Sequence, residues 1–333
     1  MKKKICLAAA GVLSLSFGVG CSTQQEETAL TPVRLNEVVH SVFYAPQYVA
    51  QELGFFEEEG LEVTVAIGNG ADKSMTALLS DSADIALLGT EAGIYVYNEG
   101  KEDYPKAFAQ LTQRAGNFLV SRIEEPNFAW NDLKGKSVIG GRLGGMPELV
   151  LEYVIKENGM VIGEDMEIIN NIDFSSTAGA FTGNVGDYTV EFEPVATTLE
   201  QNGSGFIVAS LGEASGYVPY TVYMARDDFM TEHPEIIEAF TRAIYRGQQW
   251  VENHTSAEIA EVILPQFSES DVETLTTIIE RYKAQDTWKT DPIFSEEGFT
   301  LIQDIMEQGG ELSQRVPFGD LVRNEFAEKV ISE

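Results

Sequence analysis

The 333 residues suffice for one large or two small domains with an ample core. Against 22 Lys and Arg stand 53 Asp and Glu, a net charge of −31, so the surface repels nucleic acid and anionic lipid headgroups. The only cysteines are Cys6 and Cys21, which excludes a Cys nucleophile or Cys-ligated metal in everything that follows them.

Residues 1–20 read as a leader. Lys2, Lys3 and Lys4 precede an apolar stretch from Ile5 to Val19, shorter than the ~20 residues a bilayer-spanning helix needs. The stretch ends in Gly20-Cys21, which resembles the bacterial lipoprotein signal, in which the Cys becomes the lipidated N-terminus. Gly18 departs from that pattern, where Leu is usual. An ordinary secretion signal is the alternative. Cleavage before Cys21 removes three positive charges, leaving −31 − 3 = −34. The expected protein is exported and lipid-anchored through Cys21 to the outer face of the bacterial cytoplasmic membrane. Residues 21–32, polar and ending in Pro32, read as a flexible tether.

A strand–helix alternation follows. Strands are expected at Val33–Val39, Leu61–Ile67 and Asp84–Leu88, and helices at Pro46–Leu53, closed by Gly54, at Asp72–Leu79, capped by Asp72, and from Glu91 to Tyr97. A second unit sets strands at Ser137–Ile139, before Asp173, at Tyr188–Val190, Phe206–Ala209 and Tyr220–Ala225. Its helices are Pro147–Glu157, 177–183 and Pro194–Gln201. Beyond Asp227 the pattern is helical: Pro234–Val251, Ser256–Leu264, Glu269–Lys283 and Glu296–Gln308. No internal repeat is visible.

The fold class is therefore α/β, with largely parallel sheets and two lobes around a cleft. Residues 33–118 form the first part of lobe 1, 119–225 lobe 2, and 226–333 the completion of lobe 1 with C-terminal helices. Crossings are expected near Asn117–Arg122 and Tyr220–Arg226. Ligands of open α/β sheets bind at the carboxyl ends of strands. Here those ends are His40–Pro46, Gly68–Asp72, Gly89–Glu91, Gly140–Pro147 and Asp173–Ala178.

Four segments carry a family resemblance: YAPQYVAQELGFFEEEGLEV (Tyr44–Val63), TALLSDSADIALLGTEA (Thr76–Ala92), WNDLKGKSVIGGRLGGMPE (Trp130–Glu148) and VEFEPVATTLEQNG (Val190–Gly203). They resemble the ABC-importer solute-binding proteins of the nitrate, sulfonate and thiamine-pyrimidine group. The resemblance implies a type II periplasmic-binding-protein fold that closes on a small solute and delivers it to an ABC permease and its ATPase. The resemblance does not specify the solute; a monomer is expected, with no cofactor and no metal.

Candidate ligand residues sit at the strand ends. His40 and Tyr44 offer an imidazole and an aromatic face, and Phe43 suits either the site or the core. Asn69, between two glycines, precedes a helix whose N–H groups can face a ligand. Gly89, Thr90 and Glu91 open a helix after a buried strand. Glu91 would repel an anion and accept N–H donors, or it simply complements the helix dipole. The glycine-rich run holding Arg142, Gly144, Gly145 and Met146 can cradle an oxyanion, with Arg142 as countercharge. It lacks the Gly-Lys-Ser/Thr ending of a phosphate loop. Ser175 and Ser176 offer hydroxyls, partly for capping. Glu191 faces the cleft or belongs to the acidic surface. Tyr217 and Tyr220 can stack on a ring, whereas Trp130, Trp250 and Trp288 read as structural.

Glu91 and the aromatics point to a heteroaromatic, amine-bearing solute such as a thiamine-precursor pyrimidine. The glycine loops and Arg142 point instead to a sulfonate, nitrate or similar anion. A related fungal fold makes the thiamine pyrimidine using a His and a Cys-rich segment. This chain lacks those cysteines, and His40, His233 and His254 stand in no nucleophile or metal-ligand spacing.

Overall fold

The computed structural model describes residues 29–333; the leader, Cys21 and most of the proposed tether lie outside the described residues. Ten strands form two five-stranded sheets. In chain order they are β1 (Thr31–Glu37), β2 (Leu61–Ile67), β3 (Ile85–Leu88), β4 (Pro105–Thr112), β5 (Asn117–Ser121), β6 (Ser137–Ile139), β7 (Glu167–Ile169), β8 (Tyr188–Phe192), β9 (Phe206–Ser210) and β10 (Thr221–Arg226). The first sheet has the order β2-β1-β3-β10-β4 and the second β7-β6-β8-β5-β9.

Position in the sheet follows from composition. β3, Ile-Ala-Leu-Leu, lies at the centre of its sheet between β1 and β10, with the helix Ala71–Leu79 packed on it, and is wholly buried. The edge strand β2 keeps Glu62, Thr64 and Ala66 exposed between more buried Leu61, Val63 and Val65, the alternation of a half-solvated strand. β1 runs parallel to both, with Val33 opposite Val63 and Leu35 opposite Ile85.

The sheets are mixed, which corrects the expectation of largely parallel ones. Each holds one reversed strand, and in each it is the first strand after the chain changes lobe. β5 runs antiparallel to β8 and β9, and β10 runs antiparallel to β3 and β4. The segments expected as crossings are thus largely strands themselves. The chain passes between sheets at residues 113–116 and again between β9 and β10. These passages are tied by a Thr112–Thr221 hydroxyl bond of 2.6 Å and by Tyr282 Oη donating to the Gly116 carbonyl at 2.8 Å.

The tether expectation is shortened, because Thr31 and Pro32 already pair with Leu61 and Glu62 in β1. Asp72 does not cap its helix. The N-cap of Ala71–Leu79 is Gly70, without a side-chain cap bond, and Asp72 lies in the first turn. The expected helix at 269–283 begins at Val272, because Asp271 caps it by accepting from Thr274 N at 2.7 Å.

The C-terminal helices lash the lobes together. Pro234–Asn253 lies against Ala45–Glu52, where a Cβ on Gly247 would sit 2.2 Å from the Pro46 carbonyl oxygen, so only glycine permits the approach. Glu296–Gly309 packs on Thr90–Asn98 of the first lobe and on Met146–Glu157 of the second. No helix among the described residues is long and apolar enough to cross a membrane.

Candidate ligand site in the interlobe cleft

A cavity of about 60 Å³ lies between the lobes. A single water needs about 10–15 Å³ on the same measure, so the space suits a small solute or several waters. The first lobe contributes Val38, Val39, Tyr44, Gly70, Ala71, Gly89, Glu91, Tyr220 and Thr221. The second contributes Arg142, Gly145, Met146, Pro147, Phe174 and Phe192. These are strand-end loops and helix starts of both sheets, as the architecture dictates.

The walls are aromatic. Phe192 lies 5.4 Å from Phe174 and 6.1 Å from Tyr220, ring centre to ring centre. Behind them Phe43 contacts Phe192 at 5.4 Å and Tyr220 at 5.6 Å, so one packed aromatic cluster spans both lobes. Tyr44 and Tyr220 are 2% and 3% exposed. Burial, with Glu91 nearby, pushes both phenols well above their ordinary value, so each stays protonated and able to donate.

Glu91 is the buried charge of the cavity. It sits in the first turn of Thr90–Asn98, is 1% exposed, and its Oε2 has no hydrogen-bond partner among the described residues. Burial pushes its carboxyl up to about 7. Backbone N–H groups, including those of Met146 and Ala92, and the Arg142 guanidinium pull the other way. Gly89 makes room for this carboxylate: a Cβ there would lie 2.0 Å from Glu91 Oε2 and 2.6 Å from Met146 Cγ. Arg142 stands at the rim with its side chain 44% exposed and Nε 3.6 Å from Asp72 Oδ1 on the opposite lobe. A second bond across the cleft runs from Tyr95 Oη to the Gly144 carbonyl at 2.8 Å.

Of the residues singled out from sequence, Tyr44, Gly89, Glu91, Arg142, Gly145, Met146 and Tyr220 line this cavity. The others do not. His40 faces away, with Nδ1 3.0 Å from Glu37 Oε1, Nε2 2.8 Å from the Gln266 carbonyl and its ring stacked on Phe267. The Glu37 contact raises its pKa. Phe43 is fully buried behind the wall. Asn69 is an exposed turn residue with φ of 58°. Thr90 is buried beneath the lining, and Gly144 spends its carbonyl on Tyr95.

Ser175 and Ser176 are exposed, and it is Phe174 just before them that lines the cavity. Glu191 is buried in the second lobe, where its oxygens accept from Thr189 Oγ1 at 2.7 Å and Thr177 Oγ1 at 3.1 Å. Burial pushes it also up to about 7. Tyr217 is 55% exposed, lies over the Arg114 guanidinium at 4.0 Å and donates to Asp286 at 2.7 Å. Sequence reading passed over Val38, Val39, Ala71, Pro147, Phe192 and Thr221, whose apolar or small side chains carry no chemical signal. Tyr220, weighed there as a stacking residue, is on the wall.

The profile of the NMT1/THI5-like family matches residues 42–257, which include strands of both sheets and every cavity-lining residue but Val38 and Val39. The chain belongs to the NMT1/THI5-like family. YtlA of Bacillus subtilis (strain 168) is 46% identical over 330 residues, covering 99% of this chain and 98% of YtlA. The formylaminopyrimidine-binding protein of Halalkalibacterium halodurans is 24% identical over 336 residues, covering 88% of this chain and 97% of that protein. Among solved structures, the alkanesulfonate-binding protein SsuA of Xanthomonas axonopodis pv. citri bound to MOPS superposes with a TM-score of 0.71 at 15% identity. It covers 89% of this chain and 99% of SsuA. The fold of this family member is thus the two-lobed periplasmic-binding-protein fold, and its cavity lies between the two sheets.

Proposed function

We propose that this protein is the extracytoplasmic solute-binding component of an ABC importer, and that its cleft closes on a small heteroaromatic solute bearing an amine, of the aminopyrimidine class. The carrying observation is the unpartnered Glu91 Oε2 inside an aromatic-walled cavity. A buried carboxylate without a partner is costly, and a bound N–H donor removes that cost with a charge-assisted hydrogen bond. Tyr44, Phe174, Phe192 and Tyr220 supply flat faces for a ring. A hinged pair of lobes reports occupancy only if the solute touches both, and the lining from both sheets meets that condition. The formylaminopyrimidine-binding relative supports the same ligand class.

A sulfonate or nitrate is the second reading, favoured by Arg142 on the wall and by the SsuA likeness. It is the weaker one. Arg142 is already engaged by Asp72, and an anion at the cavity centre would face Glu91.

Export and a lipid anchor at Cys21 belong to the same proposal and rest on the leader sequence. The ligand assignment is tested by titration calorimetry with an aminopyrimidine, taurine and nitrate on wild type and Glu91→Gln. The expected result is aminopyrimidine binding that weakens roughly 10–150-fold in the variant, the worth of a hydrogen bond to a charged group. Binding of the anions alone would reject the assignment.

A further inference from the structure

Gly144 is held from both sides of the cleft. Its carbonyl accepts from Tyr95 Oη at 2.8 Å, and Tyr95 belongs to the helix Thr90–Asn98 of the first lobe. Its N–H donates to Glu148 Oε2 at 3.2 Å within the second lobe. The other oxygen of that buried carboxylate accepts from Asn170 Nδ2 at 3.4 Å, and Leu143 N donates to the Asn170 carbonyl at 3.2 Å. The glycine-rich loop is therefore fixed by its own lobe, and it presents the Gly144 carbonyl to the other.

The local geometry is fitted to this contact. Gly144 has a φ of +70°, where a side chain is strained, and a Cβ there would crowd Tyr95 Oη at 3.0 Å and Glu311 Oε2 at 3.2 Å. Tyr95 stands four residues after Glu91, so one face of one helix carries both the cavity carboxylate and this phenol. Burial, with Glu91 and Glu311 nearby, raises the phenol's pKa, so it keeps its proton and donates. Yet Tyr95 and Gly144 both lie outside the lining of the cavity. Their bond joins lobe to lobe without touching the solute.

We propose that the Tyr95–Gly144 bond is a closure latch, which sets how readily the lobes shut and leaves the choice of solute to the cavity. A solute that needs the closed form binds with an apparent affinity scaled by the fraction of molecules closed. The latch enters that fraction alone, so it strengthens every solute by the same factor. Glu148 is its positioning residue, holding the loop so that the carbonyl meets the phenol. The Asp72–Arg142 pair also crosses the cleft, but at 3.6 Å and half-exposed it is screened and contributes little. The inference concerns closure and holds whichever solute fills the cavity.

The test compares wild type with Tyr95→Phe, which keeps the ring and removes only the hydroxyl. Small-angle X-ray scattering reads the ligand-free proteins, and titration calorimetry reads binding of an aminopyrimidine, taurine and nitrate. Loss of one bond to a carbonyl should lower the closed-to-open ratio by about five- to tenfold. Ligand-free Tyr95→Phe should then show a larger radius of gyration than wild type, and each solute that binds wild type should bind the variant more weakly by one common factor, up to that size. Gly144→Ala, whose methyl group presses on Tyr95 Oη, should open the ligand-free protein in the same way and serves the comparison if Tyr95→Phe folds poorly. An unchanged radius of gyration, an affinity that holds, or a weakening that differs between solutes overturns the latch. If none of the three solutes binds wild type, the aminopyrimidine reading fails, and the scattering comparison alone decides the latch.

Discussion

Glu91→Gln changes one atom and removes one titration, so its effect on stability can be worked through. A carboxyl raised from 4.5 to about 7 by burial is destabilising once ionised, by about 3 kcal/mol. The sign follows from proton counting. The folded state holds the proton more tightly than the unfolded chain, so the cost is absent below the unfolded value, grows as pH rises through the window from 4.5 to about 7, and is complete above it. Glutamine is neutral throughout and similar in shape. The ligand-free variant should therefore match wild type at pH 4.5 and exceed it by about 3 kcal/mol at pH 8.5. For a chain of this length that is a rise in Tm of about 4–5 °C. Differential scanning calorimetry at the two pH values measures it. An equal gain at both, or none at either, would show that Glu91 is not the strained acid the cavity geometry makes it.

Three further expectations rest on particular contacts. Arg281→Ala leaves the fully buried Glu193 carboxylate with only its Thr197 bonds, and should cost about 3 kcal/mol in urea unfolding; a loss below 1 kcal/mol would mean that water replaces the guanidinium. Gly89→Ala puts a methyl group where Glu91 Oε2 and Met146 now lie, so the protein should fold with a penalty of about 1–3 kcal/mol and lose detectable aminopyrimidine binding by calorimetry. Asp72→Asn breaks a half-exposed pair with Arg142, and should leave the unfolding free energy in urea unchanged within about 0.5 kcal/mol while strengthening whatever anion affinity the cleft has.

Much of the architecture was legible because local pattern and burial coincide. The β-branched run of β2, the short apolar β3 and the amphipathic helix Pro234–Asn253 declare themselves within a few residues. β4 did not. Its burial comes from distant cover: the C-terminal segment bridges to it at Ala107–Val322, and the helix Glu325–Ser332 packs on it, neither of which leaves a local signature. The reversed strands were hidden for a related reason, since direction is set by which lobe the chain has just left and not by composition.

The site divided along the same line. Glu91 and Arg142 stood out because charge next to a strand end is conspicuous, and the glycines because loops need them. Phe174 and Phe192 look like core residues, and which face of a loop turns inward decides that Phe174 lines the cavity while Ser175 and Ser176 do not. His40 was misleading because its chemistry is satisfied locally by Glu37 and the Gln266 carbonyl, a partner 226 residues away.

The central claim, that an amine-bearing heteroaromatic solute fills the cavity against Glu91, is tested most directly by a crystal structure of the protein soaked with an aminopyrimidine at pH 8, where the carboxylate is ionised in the complex. The account predicts the ring between Tyr44 and Phe192 with its amine within hydrogen-bond distance of Glu91 Oε2. A ligand held by Arg142 and the glycine loop, with Glu91 still unpartnered, would contradict it.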